Sequence, residues 1–210
     1  MNYLNELIAR YPRLSVCRDA VLGAYGLLET AYENGGKVLI AGNGGSAADA
    51  DHITGELMKG FVKRRAPPPR FRDALARITD TETADGLAGR VQEGLPAINL
   101  ANHNALVTAV INDIDGNIIY AQQVYCYGGE NDVFIGISTS GNSENVYLAM
   151  LTAKAKGLKT IALTGASGGR LAALADVSIK VPESETYKVQ ELHLPVYHCI
   201  CLMLEDRFFD

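Results

Sequence analysis

Apolar residues in this chain follow two spacings, one typical of helices and one typical of buried strands. A stripe at helical spacing predicts a helix over residues 2 to 34, which the pair Gly35-Gly36 ends. From about Ser184 the chain predicts a final helix, and we expect a kink at Pro195 because proline removes a backbone donor. The first stripe consists of Cys17, Val21, Ala24, Leu28 and Ala31.

Five short apolar runs alternate with the predicted helices. Unbroken apolar runs of this length are typical of parallel strands that are covered on both faces. Strands that alternate with helices indicate right-handed crossovers. The sequence therefore predicts an α/β fold, a doubly wound parallel five-stranded sheet flanked by helices. The runs are Val38–Ala41, Ala97–Leu100, Asp132–Ile137, Thr160–Leu163 and Val177–Val181.

One segment, Phe61 to Pro96, does not fit this alternation. It is rich in charge, contains the triplet Pro67-Pro68-Pro69 and has two short helix-like pieces. We interpret residues 1 to 210 as a single domain in which residues 61 to 96 form an insertion. A solvated surface insertion, a lid and a subunit-contact element are all compatible with its composition.

Composition and charge exclude several classes of protein. A formal net charge of −5 argues against broad nucleic-acid binding, which requires a basic surface. No apolar run approaches the ~20 residues needed to cross a bilayer, and the first residues lack the apolar core of a signal peptide. We therefore expect a cytoplasmic protein without nucleic-acid or membrane partners. The four cysteines form no CxxC pair, which favours free thiols over structural zinc or disulfides.

Two loops that follow predicted strands have the composition of phosphate-binding loops. The glycines of Gly42-Asn43-Gly44-Gly45-Ser46 would let backbone amides approach an anion, although a plain tight turn is the alternative. Ser138-Thr139-Ser140-Gly141-Asn142-Ser143 places four hydroxyls ahead of a helix, and hydroxyls with helix-start amides can bind phosphate without lysine. Ser143 acting only as an N-cap is the alternative there. Both loops lie at carboxyl ends of strands, where ligands bind in open α/β sheets.

Polar and titratable side chains are placed to meet on two helices. His52 and Glu56 are four residues apart and share a helix face. Gln190 and His198, eight residues apart in the last helix, differ by about 80° and can converge across a bend at Pro195. Two nitrogens and two oxygens form a plausible zinc ligand set, although such side chains more often make ordinary hydrogen bonds.

The ordered motifs GNGGS and GISTSGNS, on alternating strands and helices, resemble the sugar isomerase (SIS) domain, and within it the phosphoheptose isomerases. The resemblance covers residues 1 to 62 and 96 to 208, whereas residues 61 to 96 depart from the family pattern. It implies no organic cofactor. It also implies a homotetramer in which the N- and C-terminal helices form a bundle at the subunit interface, with a sugar phosphate as substrate.

The resemblance assigns roles to individual residues. Glu56 and His198 are implied as the acid/base pair. Asn112 and Asp113, which from the residues alone could form only a loop turn, are implied in substrate binding. The full implied substrate-binding set is Asn43, Gly44, Gly45, Ser46, Glu56, Asn112, Asp113, Ser138, Thr139, Ser140, Ser143 and Gln190. The implied ligands of a divalent metal, most commonly zinc, are His52, Glu56, Gln190 and His198.

Aldose–ketose isomerisation needs a base near the carbon, an acid near the oxygens and a group that polarises the carbonyl. The resemblance implies conversion of sedoheptulose 7-phosphate to D-glycero-D-manno-heptose 7-phosphate through an enediol, toward heptose units of lipopolysaccharide or other surface glycans. Glu56 is the predicted base and His198 the predicted acid. Two alternatives are a non-enzymatic SIS-domain regulator that binds the bacterial replication initiator, and a sugar-phosphate sensor. The regulator lacks residues equivalent to Glu56 and His198, which favours the enzyme.

Overall fold

The structure is a computed structural model that describes residues 2 to 209. The central sheet has five strands, all parallel, in the order β2-β1-β3-β4-β5, which confirms the predicted doubly wound sheet. Several strand ends differ from the prediction by one residue. The strands are β1 (Val38–Ala41), β2 (Ala97–Asn99), β3 (Val133–Ser138), β4 (Lys159–Thr164) and β5 (Val177–Lys180).

Helices flank the sheet, and two short 3₁₀ helices, Pro12–Cys17 and Gly116–Ile118, join some of them. The α-helices are α1 (Asn2–Arg10), α2 (Arg18–Glu33), α3 (Gly45–Met58), α4 (Pro69–Leu75), α5 (Thr81–Ala88), α6 (Asn104–Asp113), α7 (Ile119–Tyr127), α8 (Glu144–Ala155), α9 (Gly169–Leu174) and α10 (Thr186–Phe208).

Alternate residues of the central strands belong to two different layers of the core. Val38 and Ile40 of β1 pack in a cluster with residues of α1, α2, α3 and α10. Leu39 of β1 and Phe134 of β3 pack in the cluster on the other face, with residues of α6, α7 and α8. Because side chains alternate between the faces of a strand, an unbroken apolar run fills both layers. The helices α3 and α10 consequently lie on the same face of the sheet.

The prediction of one helix over residues 2 to 34 is wrong at Pro12. Tyr11 has φ −130° and ψ 72°, outside the helical region, and the 3₁₀ helix separates α1 from α2. The ring of a proline clashes with a helical conformation of the residue before it, which explains the break at Tyr11. The apolar stripe from Cys17 to Ala31 is buried as predicted.

The last helix, α10, continues without interruption through Pro195. Within residues 2–209, none of the helices is long and apolar enough to cross a membrane.

The segment 61–96 contains two short helices, α4 and α5, as its pattern predicted. Its first residues are tied to α10 by Glu205, a carboxylate that is 1% exposed. Glu205 accepts hydrogen bonds from the amides of Phe61 and Val62 at 2.8 and 2.9 Å, and from Arg65 Nε at 2.9 Å. Arg65 also donates to the carbonyl of Leu57 at 2.7 Å, at the end of α3. The root of the segment therefore links α3 to α10.

Candidate active site

The site lies where the strand order reverses. From β1 the chain leads to β2 on one side and then to β3 on the other, so the loops after β1 and β3 flank a crevice at the carboxyl edge. Asn43 and Asn145 join these loops through a reciprocal amide pair, with both N···O distances 2.9 Å. The two loops predicted to bind phosphate are thus neighbours in space, although a hundred residues separate them in sequence.

The loop after β1 needs glycine for steric reasons. A Cβ on Gly42 would come within 2.6 Å of the Ser46 carbonyl oxygen, and Gly44 has φ +55°. Tyr120 OH donates to the Gly42 carbonyl at 2.7 Å and braces the turn from α7. The amides of Ser46 and Ala47 in the first turn of α3 donate to the carbonyls of Asn43 and Gly44, both at 3.0 Å, so the turn is closed by the loop itself and contributes the positive end of the helix dipole to the crevice.

The loop after β3 presents hydroxyls in a tightly held turn. Ser138 and Ser143 share a hydrogen bond of 2.8 Å between their Oγ atoms. Ser143 occupies the N-cap position of α8 but makes no side-chain capping bond, so its hydroxyl has a different role from a cap. Gly141 has φ +68°, and a Cβ there would lie 2.0 Å from the Gly168 carbonyl oxygen. Ser140 is exposed at the tip of the turn.

The titratable side chains of α3 and α10 meet at a second position. His52 Nε2 lies 3.2 Å from Glu56 Oε1 and 3.3 Å from His198 Nε2. The His52 and His198 rings are 4.8 Å apart, and Phe61 contacts the His198 ring edge-on with the centroids 5.3 Å apart. Glu56 is largely covered, with 12% of its side chain exposed, whereas 42% of His52 is exposed. His52, Glu56 and His198 therefore form one group of titratable side chains on the surface of α3 and α10.

Neighbouring side chains affect the protonation of His198 and bind the carboxylate of Glu56. Burial, followed by the nearby imidazole of His52, lowers the pKa of His198, so the neutral form is favoured. Lys59 Nζ binds the other oxygen of Glu56, Oε2, at 2.8 Å. Tyr197 and Asp49, which sequence patterns did not single out, lie beneath His52: Tyr197 OH is 3.1 Å from His52 Nδ1 and 3.2 Å from Asp49 Oδ1.

Gln190 lies apart from this group within one chain. A Cβ on Gly45 would come within 2.4 Å of Gln190 Nε2, so the amide covers the start of α3. Because α10 runs as one helix, the eight residues from Gln190 to His198 correspond to a rise of about 12 Å. The expected convergence of Gln190 and His198 is therefore not found in this chain.

Of the implied metal set, the structure brings Glu56 and His198 into contact with His52, whereas no hydrogen bond joins Gln190 to them among the described residues. Within the described part of the chain, no three His, Cys, Asp or Glu side chains are arranged to hold a metal ion. Zinc binding stays a prediction from the resemblance, and no chemical step is assigned to a metal. Asn112 and Asp113 are both exposed at the end of α6, the Asn112 amide donates to Asp113 at 2.7 Å, and their role in substrate binding stays a prediction.

Four residues of the site were not predicted from the sequence, although two of them lie close to predicted residues along the chain. Asp49 precedes His52 by three residues, which puts it on the same helix face, and Tyr197 is the neighbour of His198. Asn145 and Tyr120 support the phosphate-type loops from α8 and α7. Their roles depend on contacts between distant segments, which spacing along the chain does not encode.

Known proteins are similar to this chain in sequence and in fold. The SIS domain model matches residues 75–165. A phosphoheptose isomerase from Aneurinibacillus thermoaerophilus is 40% identical over 178 residues, which cover 85% of this chain and 76% of that protein. The chain belongs to the phosphoheptose isomerase family. As a member of that family it is a sugar-phosphate isomerase of the aldose–ketose type.

Further relatives extend over nearly the whole chain. A phosphoheptose isomerase from Rhodospirillum rubrum is 37% identical over 194 residues, 92% of this chain and 89% of that one. The structure of a phosphoheptose isomerase from Francisella tularensis superposes with a TM-score of 0.76 at 32% identity, covering 98% of this chain and 95% of that chain. The family member described here thus shares the SIS fold and its connectivity with solved isomerases.

Proposed function

We propose that this isomerase interconverts sedoheptulose 7-phosphate and D-glycero-D-manno-heptose 7-phosphate through an enediol. The phosphate binds between the loops after β1 and β3, and the carbonyl end reaches the group on α3 and α10. Glu56 moves the proton between C1 and C2, and His198 exchanges a proton with the oxygens. The names of the relatives, phosphoheptose isomerases, support this substrate class.

The observation that carries the proposal is the alignment of α3 with α10. Gly45 contacts Gln190 near the start of both helices, and His52 contacts His198 further along both, so the helices run side by side in one direction. From Gly45 to His52 the rise is about 10 Å. At the rise of an extended chain, roughly 1.2 Å per bond, the seven bonds from C2 to the 7-phosphorus span about 8 Å. This comparison supports a seven-carbon sugar phosphate that extends from the loops to His52, the residue in contact with Glu56.

In this arrangement the chain itself supplies three functions. Loop hydroxyls and the positive end of the α3 dipole bind the phosphate dianion and fix the position of the sugar. Glu56, held by Lys59, takes a proton from C1 in the first step, exchanges it with solvent, and gives a proton to C2 in the second. His198, whose neutral form is favoured, holds a proton that can be donated to the carbonyl oxygen.

Product formation tests the proposal. Purified protein incubated with sedoheptulose 7-phosphate should form the aldose 7-phosphate, and unphosphorylated sedoheptulose at the same concentration should react far more slowly. Tight binding of the sugar phosphate without turnover would contradict the proposal and favour a regulator or sensor. Turnover of a shorter sugar phosphate in preference to the heptulose would contradict the proposed substrate length.

We also propose a homotetramer in which α1 and α10 pack against other subunits. The support is a groove of about 300 Å³ between these helices that borders His198 and includes Arg10 and Leu194, the latter 40% exposed. Light scattering at micromolar concentration measures the molar mass and hence the number of subunits. After reversible dissociation, Glu56→Gln protein is mixed with a Ser140→Ala/Ser143→Ala variant at a substrate concentration too low for that variant to react. Activity above that of either variant is expected if neighbouring subunits share a site, and a monomer would contradict the assembly.

A further inference from the structure

Phe61 lies beyond the group of titratable side chains, at the far end of the path that leads from the phosphate-type loops. The helix α3 ends at Met58, so Phe61 comes after its last turn. The Phe61 amide is bonded to Glu205, which follows His198 on α10 by seven residues, a rise of about 10 Å. From there the Phe61 ring reaches back to the His198 ring, with the centroids 5.3 Å apart. Phe61 therefore lies on the side of His198 that faces away from Gln190 and the loops.

The main chain at Phe61 is firmly held. The buried Glu205 carboxylate accepts hydrogen bonds from the amides of Phe61 and Val62 at 2.8 and 2.9 Å. Arg65 bonds the same carboxylate and donates to the carbonyl of Leu57, in the last turn of α3. The Phe61 ring also packs against the core cluster that α3 and α10 share. Because breaking a buried, hydrogen-bonded ion pair is strongly unfavourable, the ring cannot be pushed aside together with its main chain.

A fixed ring at this position limits the length of a substrate in one direction only. In the proposed function the phosphate is anchored at the loops after β1 and β3, and C2 reaches the titratable side chains. One further CHOH group adds one bond, about 1.2 Å, between the phosphorus and C2. The carbonyl end of such a longer sugar would be pressed against Phe61. A sugar that is one carbon shorter would not reach the titratable side chains at all, and Phe61 has no part in rejecting it.

We propose that Phe61 is a specificity-determining residue, an end wall that excludes ketose phosphates longer than seven carbons. This role rests on the proposed function, because the wall lies at the carbonyl end only if the phosphate is bound at the loops. It depends on an aromatic ring and its main chain, and not on the protonation of His52, Glu56 or His198. The root of segment 61–96 thereby forms part of the site.

Ketose phosphates of three lengths test the wall. Full-length wild type and Phe61→Ala are assayed with fructose 6-phosphate, sedoheptulose 7-phosphate and an octulose 8-phosphate. The wild type should have its highest kcat/KM with the seven-carbon substrate. Since one chain unit in a pocket is worth roughly 10- to 200-fold, Phe61→Ala should raise the eight-to-seven ratio of kcat/KM at least about 10-fold and leave the six-to-seven ratio within about threefold.

Two further variants separate the wall from general packing. Phe61→Leu keeps an apolar side chain at the root, and it should shift the eight-to-seven ratio in the same direction by a smaller factor, even if Phe61→Ala fails to fold. Phe71→Ala is the matched control, because Phe71 lies on α4 of the same segment and lines an open groove with Pro67 and Val91. It should leave both ratios unchanged.

The pattern of the two ratios decides the outcome. A rise in both ratios would mean a loosened site, and two unchanged ratios would mean a ring that only packs; either result overturns the end wall. A wild type that converts the octulose phosphate as well as the heptulose phosphate would also overturn it.

A protein that isomerises none of the three compounds would reject the proposed function, and competition binding of the same compounds would then test the wall separately. A gain in binding that Phe61→Ala shows only for the octulose phosphate would support the wall. An equal change for all three, or no binding of any, would overturn it.

Discussion

The two ends of the site are built from different kinds of groups. At the loop end, neutral hydroxyls, amides and glycines from β1 and β3 bond to each other, as in the Asn43–Asn145 pair. At the helix end, His52, Glu56 and His198 crowd within hydrogen-bond distance, and burial lowers the pKa of His198. A phosphate that is bound by many neutral donors tolerates the loss of one of them, whereas a proton transfer depends on a single base. Loss of a loop group should therefore weaken binding, and loss of a helix group should stop chemistry.

The largest expected effect is on the base. Glu56→Gln keeps the shape of the side chain but removes its basicity, so kcat should fall by about 10²- to 10⁴-fold while binding of a sugar phosphate persists. Steady-state kinetics and a competition binding assay measure the two quantities. The matched control is Glu130→Gln, an exposed glutamate near β3, which should retain full activity. Near wild-type turnover of Glu56→Gln would place the base elsewhere.

The next effect concerns the buried ion pair that links α3 to α10 at the helix end of the site. The Arg65–Glu205 pair, with both side chains at most 1% exposed, joins the end of α3 to α10. Removing one partner of a buried pair leaves an unpaired charge, so Glu205→Gln should lower the free energy of unfolding by about 3–5 kcal/mol in urea. Asp206→Asn is the control, because its pair with Lys63 is exposed and should contribute under about 1 kcal/mol.

The Glu205 effect should also depend on pH. Burial raises the pKa of Glu205, but hydrogen bonds from the amides of Val62 and Phe61 and from Arg65 outweigh it and bring the pKa below its ordinary value. A lowered carboxyl pKa means that the stabilisation is present above the ordinary value and is lost as pH falls through the folded-state pKa. The stability difference between wild type and Glu205→Gln should shrink in acid; a difference independent of pH would show that the carboxylate charge is not responsible.

A smaller effect is expected at the loop end. Ser140→Ala and Ser143→Ala each remove one hydroxyl that is placed to bind phosphate, at a cost of about 1.5–3 kcal/mol in binding. KM should rise and kcat should stay close to the wild-type value. Ser184→Ala, an exposed serine outside the site, serves as the control. Should kcat fall while KM remains constant, the serine loop would belong to the chemical end, and the division between the two ends would fail.

The last effect concerns stability and not activity, at a titratable residue outside both ends. His193 is fully buried, and among the described residues neither ring nitrogen has a hydrogen-bond partner. Burial lowers its pKa to about 4, and the nearby backbone of Thr164 offsets only part of this shift. Because the unfolded chain binds the proton more readily, stability should fall by about 1.4 kcal/mol per pH unit between about pH 6.5 and 4.

His193→Leu should remove that slope, and urea unfolding at several pH values compares the two proteins. His103→Gln controls for a histidine at the surface of the fold. Parallel pH profiles of wild type and His193→Leu would contradict the expected burial effect and mean that His193 is protonated or solvated in the folded protein.

The loop end was predictable from sequence because its information is local. A strand, a glycine- or serine-rich turn and a helix start follow one another along the chain, so Gly42–Ser46 and Ser138–Ser143 could be placed at the sheet edge without knowledge of tertiary contacts. The five strands were predictable for the same reason, since each apolar run is contiguous. The break at Tyr11 was missed because the helix indicated by the apolar stripe from Cys17 to Ala31 was extended back to residue 2 without regard to Pro12.

The helix end was predictable only in part. The i, i+4 spacing placed His52 beside Glu56, but angular arithmetic on α10 ignored the rise that carries Gln190 away from His198. The Asp49–Tyr197 contact joins residues 148 positions apart and has no signature in spacing. Zinc binding and the substrate-binding role of Asn112 and Asp113 remain predictions from the resemblance, because side-chain contacts within one chain do not identify a ligand.

Solvent isotope exchange tests the central claim most directly. Isomerisation of sedoheptulose 7-phosphate in D₂O through an enediol should place deuterium on C2 of the aldose product, which ¹H NMR detects. Ser140→Ala should still incorporate deuterium at saturating substrate, whereas Glu56→Gln should incorporate almost none even though it binds the sugar phosphate. Deuterium incorporation that persists in Glu56→Gln, or its loss in Ser140→Ala at saturating substrate, would contradict the separation of phosphate binding from proton transfer on which this account rests.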